Sequence, residues 1–241
     1  MTQTKIDPIE SGAAAPPRDV RGFWRLLLAV IAPLPMAAKG VHYLLSPVDG
    51  DASFHDTVVS YQAHRTLVTN LRWADAVFML LLIPAVFAVV AATRRFTPRL
   101  SAAGGFLALL GFLSGLTLLG GVNTPELLTA THHLDAQTMA QVREAVGNDP
   151  IGLVASILFL VGIVIGLGLL GAALWRSRVA PAWMGIALMV GGITHPFMPN
   201  HIGQGVGLLV AAMGFAGATR ALVRQSNDEF DLPPARTKAN W

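Results

Sequence analysis

The stretch IGLVASILFLVGIVIGLGLLGAALW, Ile151–Trp175, contains no charged residue and no alternation of polar with apolar side chains. About 20 apolar residues in helical form cross the hydrocarbon core of a bilayer. A helix also satisfies its own backbone hydrogen bonds in lipid. The stretch therefore reads as a membrane-spanning helix. Five further apolar runs flank it: Phe23–Leu45, Trp73–Thr93, Leu100–Gly120, Ala180–His195 and Ile202–Leu222. The short alternating strands of a membrane barrel are missing from the sequence. The reading is an all-α integral membrane protein, a six-transmembrane-helix bundle in the lipid bilayer.

Composition agrees. The chain is 53% hydrophobic and 13% charged, with mean hydropathy +0.55, against about 25% charged in soluble domains. Its 241 residues suit one bundle, residues 21–224. The polar flanks, 1–20 and 225–241, are rich in Pro and small residues and read as disordered tails. The first span carries Pro33 and Pro35 and follows basic residues, as a cleaved signal peptide would. Its long polar leader and the continuation Val41–Leu45 favour a retained span.

Basic residues set the orientation. Arg18, Arg21 and Arg25 precede the first span, and Arg94, Arg95 and Arg99 follow the second. Arg176 and Arg178 follow the fourth, and Arg220 and Arg224 end the last. The alternate connections hold only Lys39, Arg65, Arg72 and Arg143. Cytoplasmic loops carry the Lys/Arg excess, so both termini are predicted to be cytoplasmic in a multi-pass cell-membrane protein. Trp24, Trp73, Trp175 and Trp183 mark span ends, as interfacial aromatics do. The Ala/Gly/Leu-rich composition resembles that of bacterial inner-membrane proteins.

Several chemistries drop out. There is no cysteine, so disulfides, thiolate nucleophiles and iron–sulfur clusters are excluded. The net charge is +3, but the cations flank spans and form no aromatic-interleaved basic stripe, so nucleic acid is not a partner. Asp49-Gly50-Asp51 lacks the remaining ligands of a calcium loop. Gly203-Gln204-Gly205-Val206-Gly207 follows no strand and is not a nucleotide loop. Ser114 and Ser156 read as bonded to their own helices.

The two long outer loops predict short helices capping that face. Ser53-Phe54-His55-Asp56 resembles a capping box, starting a helix that runs through Tyr61, His64 and Leu71 into the second span. Thr124-Pro125-Glu126 is a helix start with Pro at the first position. Asp135–Val146 reads as a helix ended by Gly147, and Asp149-Pro150 opens the fourth span. Gly111/Gly115, Gly162/Gly166 and Gly203/Gly207 allow close helix approach. Such glycine-rich spans pack within the bundle or against a membrane-protein partner.

All seven histidines fall on the predicted outer side. His42, His195 and His201 lie at span ends, the last two joined by a connection containing Pro196 and Pro199. Convergence would give imidazole ligands for a transition metal or haem. His132 and His133 diverge by about 100° on a helix, so at most one joins a site. His55 and His64 read as solvated interfacial residues. Lys39 and Asp75 interrupt the outer halves of their spans, where charges are costly and commonly paired. With His42 three residues from Lys39, they predict a polar pocket. The other spans hold almost no charge, which argues against a deep ion pathway. The preferred function is binding or sensing of a metal, haem or small amphiphile at the outer face. The alternatives are a membrane enzyme acting there on a lipid-like substrate and a helical packing subunit.

Overall fold

The computed structural model describes residues 19–118 and 123–231. Among them, all regular structure is helical. Pro33 and Pro35 divide the first apolar run into α1 (Arg21–Ile31) and α2 (Leu34–Leu45), with a break at Ala32–Pro33. α3 (Phe54–Ala63) starts at Ser53, whose hydroxyl accepts from the Asp56 N–H at 3.1 Å and donates to its carboxylate at 2.7 Å. The helix does not continue into the second span. His64 leaves helical geometry at φ −118° and ψ 33°, and α4 (Arg65–Thr93) begins beyond it. α5 is Pro98–Leu118.

α6 (Thr124–His132) places Pro125 at its second position, because Asn123 takes the cap. α7 (Ala136–Gly147) is capped by Asp135, which accepts from the Thr138 N–H at 2.7 Å, and it includes Gly147. Asp149 caps α8 (Pro150–Val161) through the Gly152 N–H at 2.9 Å. A π-helical turn, Gly162–Gly166, joins α8 to α9 (Leu167–Ser177). α10 (Ala182–Phe197) and α11 (His201–Arg224) follow. The segment after residue 224 begins with a helix, α12 (Asn227–Asp231), where the composition predicts disorder. Its structure comes from a true capping box: Ser226 and Glu229 exchange backbone-to-side-chain bonds at 2.8 and 3.2 Å. The predicted N-terminal tail lies almost wholly outside the described residues.

Five helical segments are long and apolar enough to cross a membrane: Arg21–Leu45, Arg65–Thr93, Pro98–Leu118, Pro150–Ser177 and His201–Arg224. The sixth apolar helix, Ala182–Phe197, has 16 residues. The result is an all-α membrane bundle. Its core gathers Met36, Leu82, Phe112, Leu170, Leu188 and Phe215. Large apolar side chains such as Leu80, Phe106 and Ile151 remain exposed, which suits a lipid surround. All four span-end tryptophans are exposed too.

Glycine sets how closely these helices approach. A Cβ on Gly111 would lie 2.6 Å from the Gly162 Cα, and one on Gly162 would lie 2.7 Å from the Gly111 Cα. Gly115, Gly166, Gly203 and Gly207 likewise meet Phe159, Ala108, Met198 and Thr194. These six glycines have close neighbours within the chain.

The first and last described helices, α1 and α12, meet at one end of the bundle. Arg21 pairs with Asp228 at 3.1 Å, and Asn227 donates to Asp19 at 3.2 Å. Arg25 donates to the last carbonyls of α11, Leu222 at 2.9 Å and Val223 at 3.3 Å, and also to that of Gln225. Free carbonyls at a helix C-terminus favour such a cation.

Candidate functional site

A polar cluster occupies the opposite end of the bundle. Lys39, His42 and Tyr43 share a face of α2, because residues three and four apart on a helix are neighbours. Asp75 of α4 meets this face. Its Oδ1 lies 2.6 Å from the Lys39 Nζ and 3.1 Å from the His42 Nδ1. His42 Nδ1 is also 3.2 Å from the Leu71 carbonyl oxygen, one turn earlier on α4. The side chains of Lys39, His42 and Asp75 are 18%, 20% and 32% exposed. This ion pair therefore stands partly withdrawn from solvent.

Tyr43 is the hub. Its ring centroid lies 5.6 Å from that of His42, 5.2 Å from His195 and 5.0 Å from His201. The Lys39 ammonium stands 4.8 Å from the same centroid, within the range of cation–π attraction. His195 is 9% exposed and His201 half-buried. The Nδ1 atoms of both are enclosed without a hydrogen-bond partner. Leaving a buried polar atom unsatisfied is costly, so these atoms mark unfilled hydrogen-bonding capacity.

Two close helix approaches assemble the cluster. A Cβ on Gly205 of α11 would lie 2.9 Å from the Gly40 carbonyl oxygen and 2.8 Å from the Leu44 Cγ. This seats α11 against α2 beside Tyr43. Two residues on, Gly207 faces α10 at Thr194 and His195. α11 thus lies between α2 and α10, which brings His195 and His201 to the same tyrosine ring. Asp49 secures the start of α11 by accepting from the His201 backbone N–H at 3.1 Å.

An apolar crease of about 490 Å³ runs along α11 from Val206 to Ala216, bounded by Leu209, Met213 and, at the α1–α2 break, Pro33. Gly205, Leu209, Ala212 and Ala216 continue the His201 face at spacings of three and four. The polar cluster therefore stands at the head of an apolar track on one helix face.

The structure brings Lys39, Asp75, His42, His195 and His201 together around Tyr43. It does not set the histidines out as a ligand cage. Among the described residues, no group of three or more His, Cys, Asp or Glu side chains stands ready to hold a metal ion. His55, His64, His132 and His133 are exposed on the short helices and outside this cluster. His64 Nδ1 lies 3.0 Å from the Ser60 carbonyl oxygen, and His133 ends α6 at φ 54°.

The sequence reading passed over two groups. Tyr43 is one of two tyrosines in the chain, and its position four residues after Lys39 was the available signal. Glu126 is fully buried on α6, with its Oε1 2.9 Å from the Arg143 Nε on α7. Its signal was Arg143 itself, a cation on the face where cations are scarce. Burial, followed by the nearby carboxylates of Glu126 and Asp75, pushes the Tyr61 phenol upward.

A family model described as Domain of unknown function (DUF4386) matches residues 22–223. The chain belongs to the DUF4386 family. That match runs from the first turn of α1 to the last turn of α11, so the DUF4386 region contains every residue of the cluster. No curated protein and no solved structure matches the chain.

Proposed function

We propose that this DUF4386 protein binds a small amphiphile at the outer face of the cell membrane, with both chain termini in the cytoplasm. One observation carries the reading: His201, the member of the cluster on α11, lies on the helix face whose Leu209, Ala212 and Ala216 line the apolar crease. Ligand sites combine an apolar lining with a few placed polar groups. Lys39, Asp75, His42, His195 and His201 supply the polar end, and Leu209, Ala212 and Ala216 line the tail end.

A photoactivatable fatty alcohol in nanodiscs tests this. Cross-links are expected in peptides spanning Pro33–Leu45 and His201–Ala216, and they should weaken at least about tenfold in Lys39→Met/His195→Phe, the size of a loss of about 1.4 kcal/mol. Labelling spread evenly over lipid-exposed helices, and unchanged in the variant, removes the reading.

A transition metal or haem on the histidines is the second reading. The enclosed, unpartnered Nδ1 atoms of His195 and His201 favour it, since imidazole nitrogen suits zinc, copper, iron and nickel. Titration with zinc, copper or hemin separates it from the first. Stoichiometric binding, lost in His195→Phe and His201→Phe and kept in His55→Ala, supports the metal or haem reading.

A further inference from the structure

Both partners of His42 Nδ1, the Asp75 carboxylate and the Leu71 carbonyl, are hydrogen-bond acceptors. An imidazole nitrogen facing two acceptors must carry the hydrogen, so a neutral His42 has its lone pair on Nε2. Lys39 already balances the charge of the shared carboxylate at 2.6 Å. A neutral imidazole therefore completes the cluster without excess charge. His42 Nε2 has no hydrogen-bond partner among the described residues, and it is not one of the enclosed unpartnered atoms. The ring is thus anchored by one nitrogen and open at the other.

We propose that Asp75 is a positioning residue that fixes the His42 tautomer, and that the open Nε2 accepts a hydrogen bond from the hydroxyl head of the bound amphiphile. This rests on the amphiphile reading above and adds the class of head group. A carboxylate that orients an imidazole in this way sets which nitrogen meets the ligand. The crease along α11 receives the alkyl chain. A hydroxyl can donate, so it answers the one open acceptor. A methyl ether can only accept and leaves Nε2 unanswered.

Nitrogen-15 NMR of histidine-labelled protein in nanodiscs tests the tautomer without any ligand. His42→Gln identifies the His42 signals. Wild type should show a protonated Nδ1 and an unprotonated Nε2. Asp75→Glu should retain this signature, and Asp75→Asn, which leaves the Leu71 carbonyl as the remaining acceptor at Nδ1, should move part of the population toward Nε2–H. A hydrogen on Nε2 in the wild type overturns the positioning role, whether or not any variant folds. 1-Dodecanol and dodecyl methyl ether then test the head group. The alcohol should move the Nε2 resonance and bind at least about tenfold more tightly than the ether. Equal binding that leaves Nε2 unmoved overturns the hydroxyl assignment and leaves amphiphile binding standing. If neither compound binds, the head-group proposal fails along with the amphiphile reading, while a correct tautomer keeps the Asp75–His42 relationship.

Discussion

Lys39 on α2 and Asp75 on α4 hold one another at 2.6 Å within two membrane helices. Removing one partner leaves a poorly hydrated charge uncompensated. Exposed pairs contribute up to about 1 kcal/mol, while breaking a buried one costs about 3–5 kcal/mol. This pair is partly exposed, so Lys39→Met or Asp75→Asn is expected to destabilise by about 2 kcal/mol. The double variant should lose less than the sum of the singles. Denaturant unfolding in detergent measures the coupling, and additive losses mean that the two residues act independently.

Gly205→Ala should disturb the site through packing alone. Its new Cβ would meet the Gly40 carbonyl oxygen at 2.9 Å and the Leu44 Cγ at 2.8 Å. Overpacking of this kind costs about 1–3 kcal/mol. α11 should move away from α2 and take His201 from Tyr43. Gly168→Ala is the control, because its Cβ would have no neighbour within 4 Å and alanine favours the helix by about 1 kcal/mol. Thermal unfolding of the two variants should therefore shift in opposite directions.

The attachment of α12 should depend on acid and salt. Asp19 bonds the side chain of Arg21, which holds its carboxyl down at about 2 from 3.8. A carboxylate depressed in the folded state stabilises above its ordinary pKa and loses that contribution as the pH falls. The Asp19–Arg21 contact, and with it the bond that Asn227 of α12 donates to Asp19, should be intact above pH 3.8 and be lost as the pH falls through about 2. Salt screens exposed charges and should loosen the Arg21–Asp228 contact at neutral pH. NMR shifts of residues 226–231 follow both effects. Signals that ignore salt and the Arg21→Gln change exclude an electrostatic attachment.

Orientation is tested by single cysteines in this cysteine-free chain. With the predicted topology, Cys at Asn148 should react with an impermeant maleimide from outside intact cells. Cys at Arg95 should react only after the membrane is opened. Reaction of both from one side overturns the Lys/Arg-based assignment.

The apolar runs made the bundle legible because each span carries its signal locally. Ile151–Trp175 needs no distant partner to read as a membrane helix. Lys39 and Asp75 were legible for a related reason: a charge in an apolar run stands out. The break at His64 was not, since Ser53, Tyr61 and Leu71 fit one helix as well as two. Tyr43 as hub was hidden because its role depends on where α10 and α11 lie. That placement comes from Gly40, Gly205 and Gly207, whose meaning appears only when the opposing backbones are known. α12 was missed because the polarity of its segment outweighed the Ser226–Glu229 capping box, a signal of only two residues.

The 16 residues of α10 extend about 24 Å at 1.5 Å per residue, short of a hydrocarbon core of about 30 Å. For α10 to cross the membrane, surrounding lipid would have to thin, or flanking residues reach outward, to close that gap. His195 lies in the final turn of this helix, so a membrane-crossing α10 would tie the depth of the cluster to the local thickness of the bilayer. Long acyl chains would draw the polar groups below the headgroup layer, and short ones would lift them toward water. Membrane thickness thereby becomes a physical input to the cluster, independent of any ligand's concentration.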